Sequence, residues 1–167
     1  MIPFFEQEKN NSCGAAALRM VLKFHDIDIS EEELYTKLKI KDKGTCQKEI
    51  RYVLDIFGLK HDEYCEDCLH PDCETWKKDG TIQIVENPIV RLESELKKNV
   101  CIIANILSVR DIGHFVVVVG IDSKNVIVND PDPVNKGGGP GIKIPRDEFE
   151  KRWVSGNNLW KKWFMVI

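Results

Sequence analysis

The sequence has no uninterrupted apolar stretch approaching the ~20 residues that a membrane span requires. Its longest candidate, Phe115 to Ile121, suits a buried strand better. Nor is there an excess of positive charge. Lys and Arg number 24 against 27 Asp and Glu, a net charge of −3, which gives no reason to expect a nucleic acid or an anionic membrane as partner. The opening Met1-Ile2-Pro3-Phe4-Phe5-Glu6 lacks the basic start and apolar run of a signal peptide, so a cytoplasmic protein is expected. There are no internal repeats. The 167 residues are most simply one domain, able to bury about 70% of its unfolded surface without covalent staples. What the chain does have is cysteine. Six of them in a cytoplasmic protein read as reduced thiols, metal ligands or catalysts rather than as disulfides.

The first third reads as helical. Ser12 is a candidate N-cap, and the helix-compatible run Ala15-Ala16-Ala17-Leu18 through Met20, Val21 and Leu22 predicts a helix opening at Cys13 and reaching about Phe24. Ser30-Glu31-Glu32-Glu33 fits a capping box and starts a second helix to about Leu38. Thr45 is placed as the cap of a third, with Ile50, Val53, Leu54 and Phe57 on one face and Gly58 as its stop. Residues 59–80 are polar, cysteine-rich and poorly periodic, a loop or small insertion. Pro88 to Lys98 reads as a further helix.

The period then changes. Val100 to Leu107, His114 to Ile121 and Asn125 to Asn129 are β-branched runs separated by polar turns. A tight connection at Asp122 to Asn125 makes the last two an antiparallel hairpin. Asn135 to Gly141 reads as a glycine-rich loop, 145–153 as a short helix and 160–167 as an edge strand. Helices first and antiparallel strands after predict an α+β fold with N-terminal helices packed on a C-terminal sheet.

Four residues suggest chemistry. Cys13 would sit at a helix N-terminus, where free N–H groups favour an anion, although most free cysteines are simply small buried hydrophobes. His114 enters an apolar strand, where its ring nitrogens need partners. It is either a structural histidine or the base that takes the thiol proton. In the proposed hairpin Asp130 lies beside His114 and could orient the ring. Asp132 is a rival, Asn129 a weaker one, and a plain turn aspartate before proline is the ordinary alternative. Gln7, by itself a surface glutamine, could pair its amide with the Cys13 backbone N–H to hold an oxyanion.

These segments, Gln7…Ser12-Cys13-Gly14-Ala15-Ala16-Ala17-Leu18, Gly113-His114-Phe115-Val116-Val117-Val118, Val128-Asn129-Asp130-Pro131 and the closing Phe149…Trp153, resemble the papain-like peptidases that process bacteriocin precursors after a double-glycine leader. The resemblance covers most of the chain. It implies a papain-like cysteine protease fold, with Cys13 as nucleophile, His114 as base, Asp130 as orienting acid and Gln7 as oxyanion residue. It also implies a peptide or protein substrate and no cofactor for catalysis. The best-known members are N-terminal domains of membrane exporters, whereas this sequence carries no transporter, so a stand-alone member is expected. An acyltransferase or amidotransferase would share the same acyl-enzyme, and a catalytically silent peptide-binding module is the reading of another class.

One segment falls outside the resemblance. Cys65-Glu66-Asp67-Cys68-Leu69-His70-Pro71-Asp72-Cys73 offers a CxxC pair, a histidine and a third cysteine. Cys65, Cys68, His70 and Cys73 could supply structural zinc ligands, with His61 as a spare. The spacing is tight for a tetrahedron, and the alternatives are reduced surface thiols or a redox pair at Cys65 and Cys68. The Gly137–Gly141 run lacks the context of a phosphate loop.

Overall fold

A computed structural model describes residues 1–42, 44–108, 112–132, 137–156 and 159–167. Helix α1, Cys13–Phe24, is buried nearly all round: Ala15, Ala16, Ala17, Leu18, Met20, Val21 and Leu22 are fully covered. Its alanines let neighbouring elements approach the backbone closely. Asp26, in the left-handed region at φ 61°, ends it, a conformation that aspartate tolerates. α2, Glu31–Lys37, carries the expected capping box between Ser30 and Glu33. α3, Gln47–Ile56, is capped by Cys46 rather than Thr45, with Glu49 reaching back to the Cys46 N–H at 2.7 Å. Thr45 is thereby freed for another contact.

The 59–80 segment is not a loop. It contributes β1, Asp62–Cys65, β2, Asp67–Cys68, and α4, Cys73–Lys78, and β3, Ile82–Ile84, follows it. Next come α5, Pro88–Leu96, β4, Ile102–Leu107, β5, Gly113–Ile121, and β6, Asn125–Asp130. The expected hairpin forms, with Asp122 Oδ1 accepting the Lys124 and Asn125 N–H groups at its tip. Gly139–Pro145 is strand β7, not loop, its Ile142-Lys143-Ile144 alternation pairing with β6. Asn135 lies outside the described residues. α6, Arg146–Arg152, follows, then β8, Trp160–Lys161, and β9, Phe164–Val166.

Seven strands form one sheet in the order β3-β1-β9-β4-β5-β6-β7, antiparallel except between β1 and β3, and β2 pairs with β8 separately. β9 is therefore interior rather than an edge, because the unforeseen β1 pairs with its far side. Alternate residues of β4 and β5 face two cores. Ile103, Phe115 and Val117 pack with the α1–α3 layer; Ala104, Ile106, Val116 and Val118 pack with Leu92 of α5, Phe149 of α6 and Trp153 at its C-terminal cap. The α+β arrangement thus has helices on both faces of the sheet. Among the described residues no helix is long and apolar enough to cross a membrane.

The cysteine-rich segment is held by contacts distant in sequence. Glu63 of β1 is fully buried. It takes a bidentate bond from Arg51 of α3, on the Nε and on Nη2 at 3.0 Å, and the indole N–H of Trp163 at 3.0 Å. A buried carboxylate is tolerated only when so paired.

Candidate active site

The α1 N-terminus meets the start of β5 and the end of β6, and the cleft there encloses ≈ 190 Å³. Cys13, Gln7, Thr45, Ile112, His114 and Asp132 are among its lining residues. On the sheet side, β5 and β6 pair Val117 with Asn129. Asp130 is thereby opposite Val116, close enough to reach diagonally to His114. His114 Nε2 and Asp130 Oδ1 are 2.7 Å apart, and the two residues are 4% and 6% exposed. The same carboxylate oxygen accepts the Asp132 N–H at 3.0 Å. Asn129 is engaged elsewhere, its Oδ1 accepting the Gly141 N–H at 3.0 Å. Of the three candidates, Asp130 is the one that holds the ring.

With Nε2 committed to Asp130, Nδ1 is the ring nitrogen left for another partner, and Cys13 is near enough to act on the ring electrostatically. Burial opposes a charged imidazole here. The bonds to Asp130 and Cys13 outweigh it and raise the His114 pKa from 6.5 to about 10. That shift keeps the ring protonated at neutral pH.

On the helix side, Ser12 occupies the N-cap position without a capping bond. Its buried hydroxyl instead donates to the Lys9 carbonyl at 2.8 Å and accepts the Lys9 N–H at 3.0 Å, closing the turn before the thiol. The first helical bond of α1 comes from Ala16 N–H to Ser12 C=O. Amides ahead of it, that of Cys13 included, are left for other acceptors. Gly14 is required here by Thr45, because a Cβ at position 14 would lie 2.8 Å from both Thr45 Cβ and Oγ1. Gln7 bridges the two halves. Its backbone N–H donates to Pro131 C=O at 2.8 Å, and its side-chain Nε2 donates to Lys9 C=O at 3.0 Å. One hydrogen of that Nε2 remains for a second acceptor.

Sequence reasoning missed Glu31. Only 1% exposed, it accepts the Glu8 N–H at 2.9 Å and steadies the loop between Gln7 and Cys13. Burial raises its pKa. In sequence it is just one of three glutamates after a cap, and nothing local marks it as buried.

The four proposed zinc ligands are not brought together. Cys68 and Cys73 are joined as a disulfide across the His70-Pro71-Asp72 turn, with Cα atoms 6.1 Å apart. This pair departs from the expectation of reduced thiols. The Cys65 thiol is buried in the core, which pushes its pKa up to about 12. His70 accepts the Asp72 N–H on Nδ1 and stacks on Trp76 at 4.5 Å. Among the described residues no group of three or more His, Cys, Asp or Glu side chains could hold a metal ion. These residues do not fit a zinc site.

A sheet-borne imidazole and carboxylate set against a thiol at a helix N-terminus define a scaffold for thiol chemistry. The comparisons with known proteins agree. The model of the Peptidase_C39 like family matches residues 1–159, and the chain belongs to that family. It is 24% identical over 148 residues to the pediocin PA-1 transport/processing ATP-binding protein PedD of Pediococcus acidilactici, a match spanning 89% of this chain but 17% of that protein. Among solved structures, the peptidase domain of Streptococcus ComA, a bi-functional ABC transporter involved in a quorum-sensing pathway, superposes with a TM-score of 0.71 at 17% identity, covering 99% of this chain and 98% of that one. A double-glycine motif protease from an AMS/PCAT transporter, in complex with its leader peptide, gives 0.63 at 23% identity over 100% and 90% of the two chains. At these identities the structures speak for the fold.

Proposed function

We propose that the chain is a cysteine peptidase acting on a peptide through a Cys13 acyl-enzyme. The observation that carries this reading is the buried 2.7 Å contact of His114 with Asp130, in a cleft that Cys13 also lines. The Cys13 thiolate attacks the scissile carbonyl, and the oxyanion is received by the Cys13 backbone N–H and the Gln7 amide. The C–N bond then breaks as the His114 imidazolium gives its proton to the leaving amine. The neutral ring next takes a proton from the water that attacks the thioester. The acid product leaves, and the thiolate–imidazolium pair is restored. Asp130 keeps Nδ1 of the ring aimed at the thiol throughout.

The substrate proposed is a peptide cut after a pair of glycines. Support comes from the relatives, one described as a double-glycine motif protease in complex with the leader peptide and another as a transport/processing protein. The test is site-resolved alkylation of the folded protein across pH, wild type against His114→Ala, together with cleavage of a peptide containing a Gly-Gly segment. Cys13 should react far faster than the other thiols at pH 6 and lose that advantage in the variant. A Cys13 no more reactive than Cys46 would leave the binding-module reading in its place.

A further inference from the structure

The lining of the cleft is largely polar, with Gln7, Asn10, Asn11, Asp42 and Thr45 on the thiol's side. On the histidine's side, alongside the buried Ser108 and Asp132, stands Ile112, two residues before His114, 60% exposed and lining the cleft. An exposed isoleucine by itself means little. This one is held in place. Its carbonyl accepts the Ser108 N–H at 2.8 Å, and its N–H donates to Ser108 Oγ at 3.4 Å. Behind it two glycine backbones touch: a Cβ on Gly156 would lie 2.4 Å from Gly113 N and 3.4 Å from the carbonyl carbon of Ile112. A Cβ on Gly113 would in turn lie 3.0 Å from Gly156 N. Ile112 itself is thus held by Ser108 and backed by the Gly113–Gly156 approach, which sets its apolar side chain at the cleft.

The chemistry says which part of a substrate this wall meets. His114 must hand its proton to the leaving amine, so the residue after the cut lies along the histidine's wall, and the acyl half lies along the thiol's. Resting on the peptidase reading above, we infer that Ile112 is a specificity-determining residue that selects an apolar side chain immediately after the scissile bond. Such a side chain covers Ile112 on binding, whereas a charged one in that place would have to shed water against it.

The experiment compares kcat/KM for peptides identical up to the Gly-Gly cut and differing only in the next residue: Leu, Ser or Asp. Wild type should favour Leu over Ser and Asp by about tenfold or more, the scale of one buried apolar side chain. Ile112→Ser should level the series. Ile112→Lys should turn it towards Asp, a gain that misfolding cannot mimic. Cleavage of all three peptides at equal rates, or a Leu preference that persists in both variants, overturns the assignment while leaving the peptidase reading intact. No cleavage of any peptide, with Cys13 unreactive towards an alkylating agent, takes down the peptidase reading and this inference with it.

Discussion

The chain holds two groupings of cysteine and histidine, and they invert the expectation drawn from spacing. In residues 65–73 three cysteines and a histidine fall within nine positions, yet they separate into a disulfide, a buried thiol and a stacked ring. Cys13 and His114 are a hundred residues apart and line the same cleft. Proximity along a chain constrains where side chains can go, but it does not aim them. In the short segment a strand, a turn and a helix follow one another, and alternate positions point apart. In the cleft, a helix end and a strand end are aimed at each other by the packing of α1 on β5.

That comparison can be broken in several ways. The largest effect belongs to the cleft. Cys13→Ser or His114→Ala should lower kcat/KM for peptide cleavage by about four orders of magnitude or more, whereas Cys73→Ala should leave cleavage by the folded protein unchanged. Steady-state kinetics checks both arms. Gln7→Ala should cost about 10²–10³-fold, chiefly in kcat.

The cysteine-rich segment should register in stability instead. Removing the Arg51 side chain strands the fully buried Glu63 carboxylate and should cost about 3–5 kcal/mol in denaturant unfolding. The Cys68–Cys73 link closes only a short loop, so opening it should cost about 2 kcal/mol of stability, with no loss of peptide cleavage.

pH sharpens the contrast last. A His114 pKa raised to about 10 puts the alkaline limb of cleavage near pH 10, and Asp130→Asn should move that limb downward. The sign for stability follows from the same shift. The contribution is complete below the unfolded value of 6.5 and is lost as pH rises through about 10. Over that range the Cys65 and Cys101 thiols, pushed up to about 12 by burial, should stay unreactive in the folded protein.

Much of this was legible in the sequence, for local reasons. α1 is written in its alanine-rich run, α2 in the Ser30 box, and the β5–β6 hairpin in two β-branched runs around an aspartate turn, which is why Asp130 could be placed beside His114. The failures have physical causes as well. β1 buries a glutamate whose partner comes from α3, so its sequence looks like surface. β7 begins in glycine and proline, which hide the alternation of Ile142 and Ile144. Thr45 looked like a cap until Cys46 was found in that position. Ile112 carried no signal beyond being the residue before Gly113-His114, since its significance depends on Gly156 lying behind it. The β1 and Ile112 misses rest on long-range contacts that no local pattern encodes, whereas the cap and β7 were hidden by neighbouring residues.

The position of β9 bears on the timing of assembly. Because Phe164–Val166 is the strand joining β1 to β4, the β3–β1 piece of the sheet has no partner in the other piece until those residues exist. During synthesis the thiol helix and the histidine hairpin leave the ribosome long before that strand does. Closure of the sheet is thus a late event, dominated by pairings between distant parts of the chain and correspondingly slow. A chain cut short before residue 164 would hold every member of the reacting group and still lack the sheet that spans from one edge of the molecule to the other.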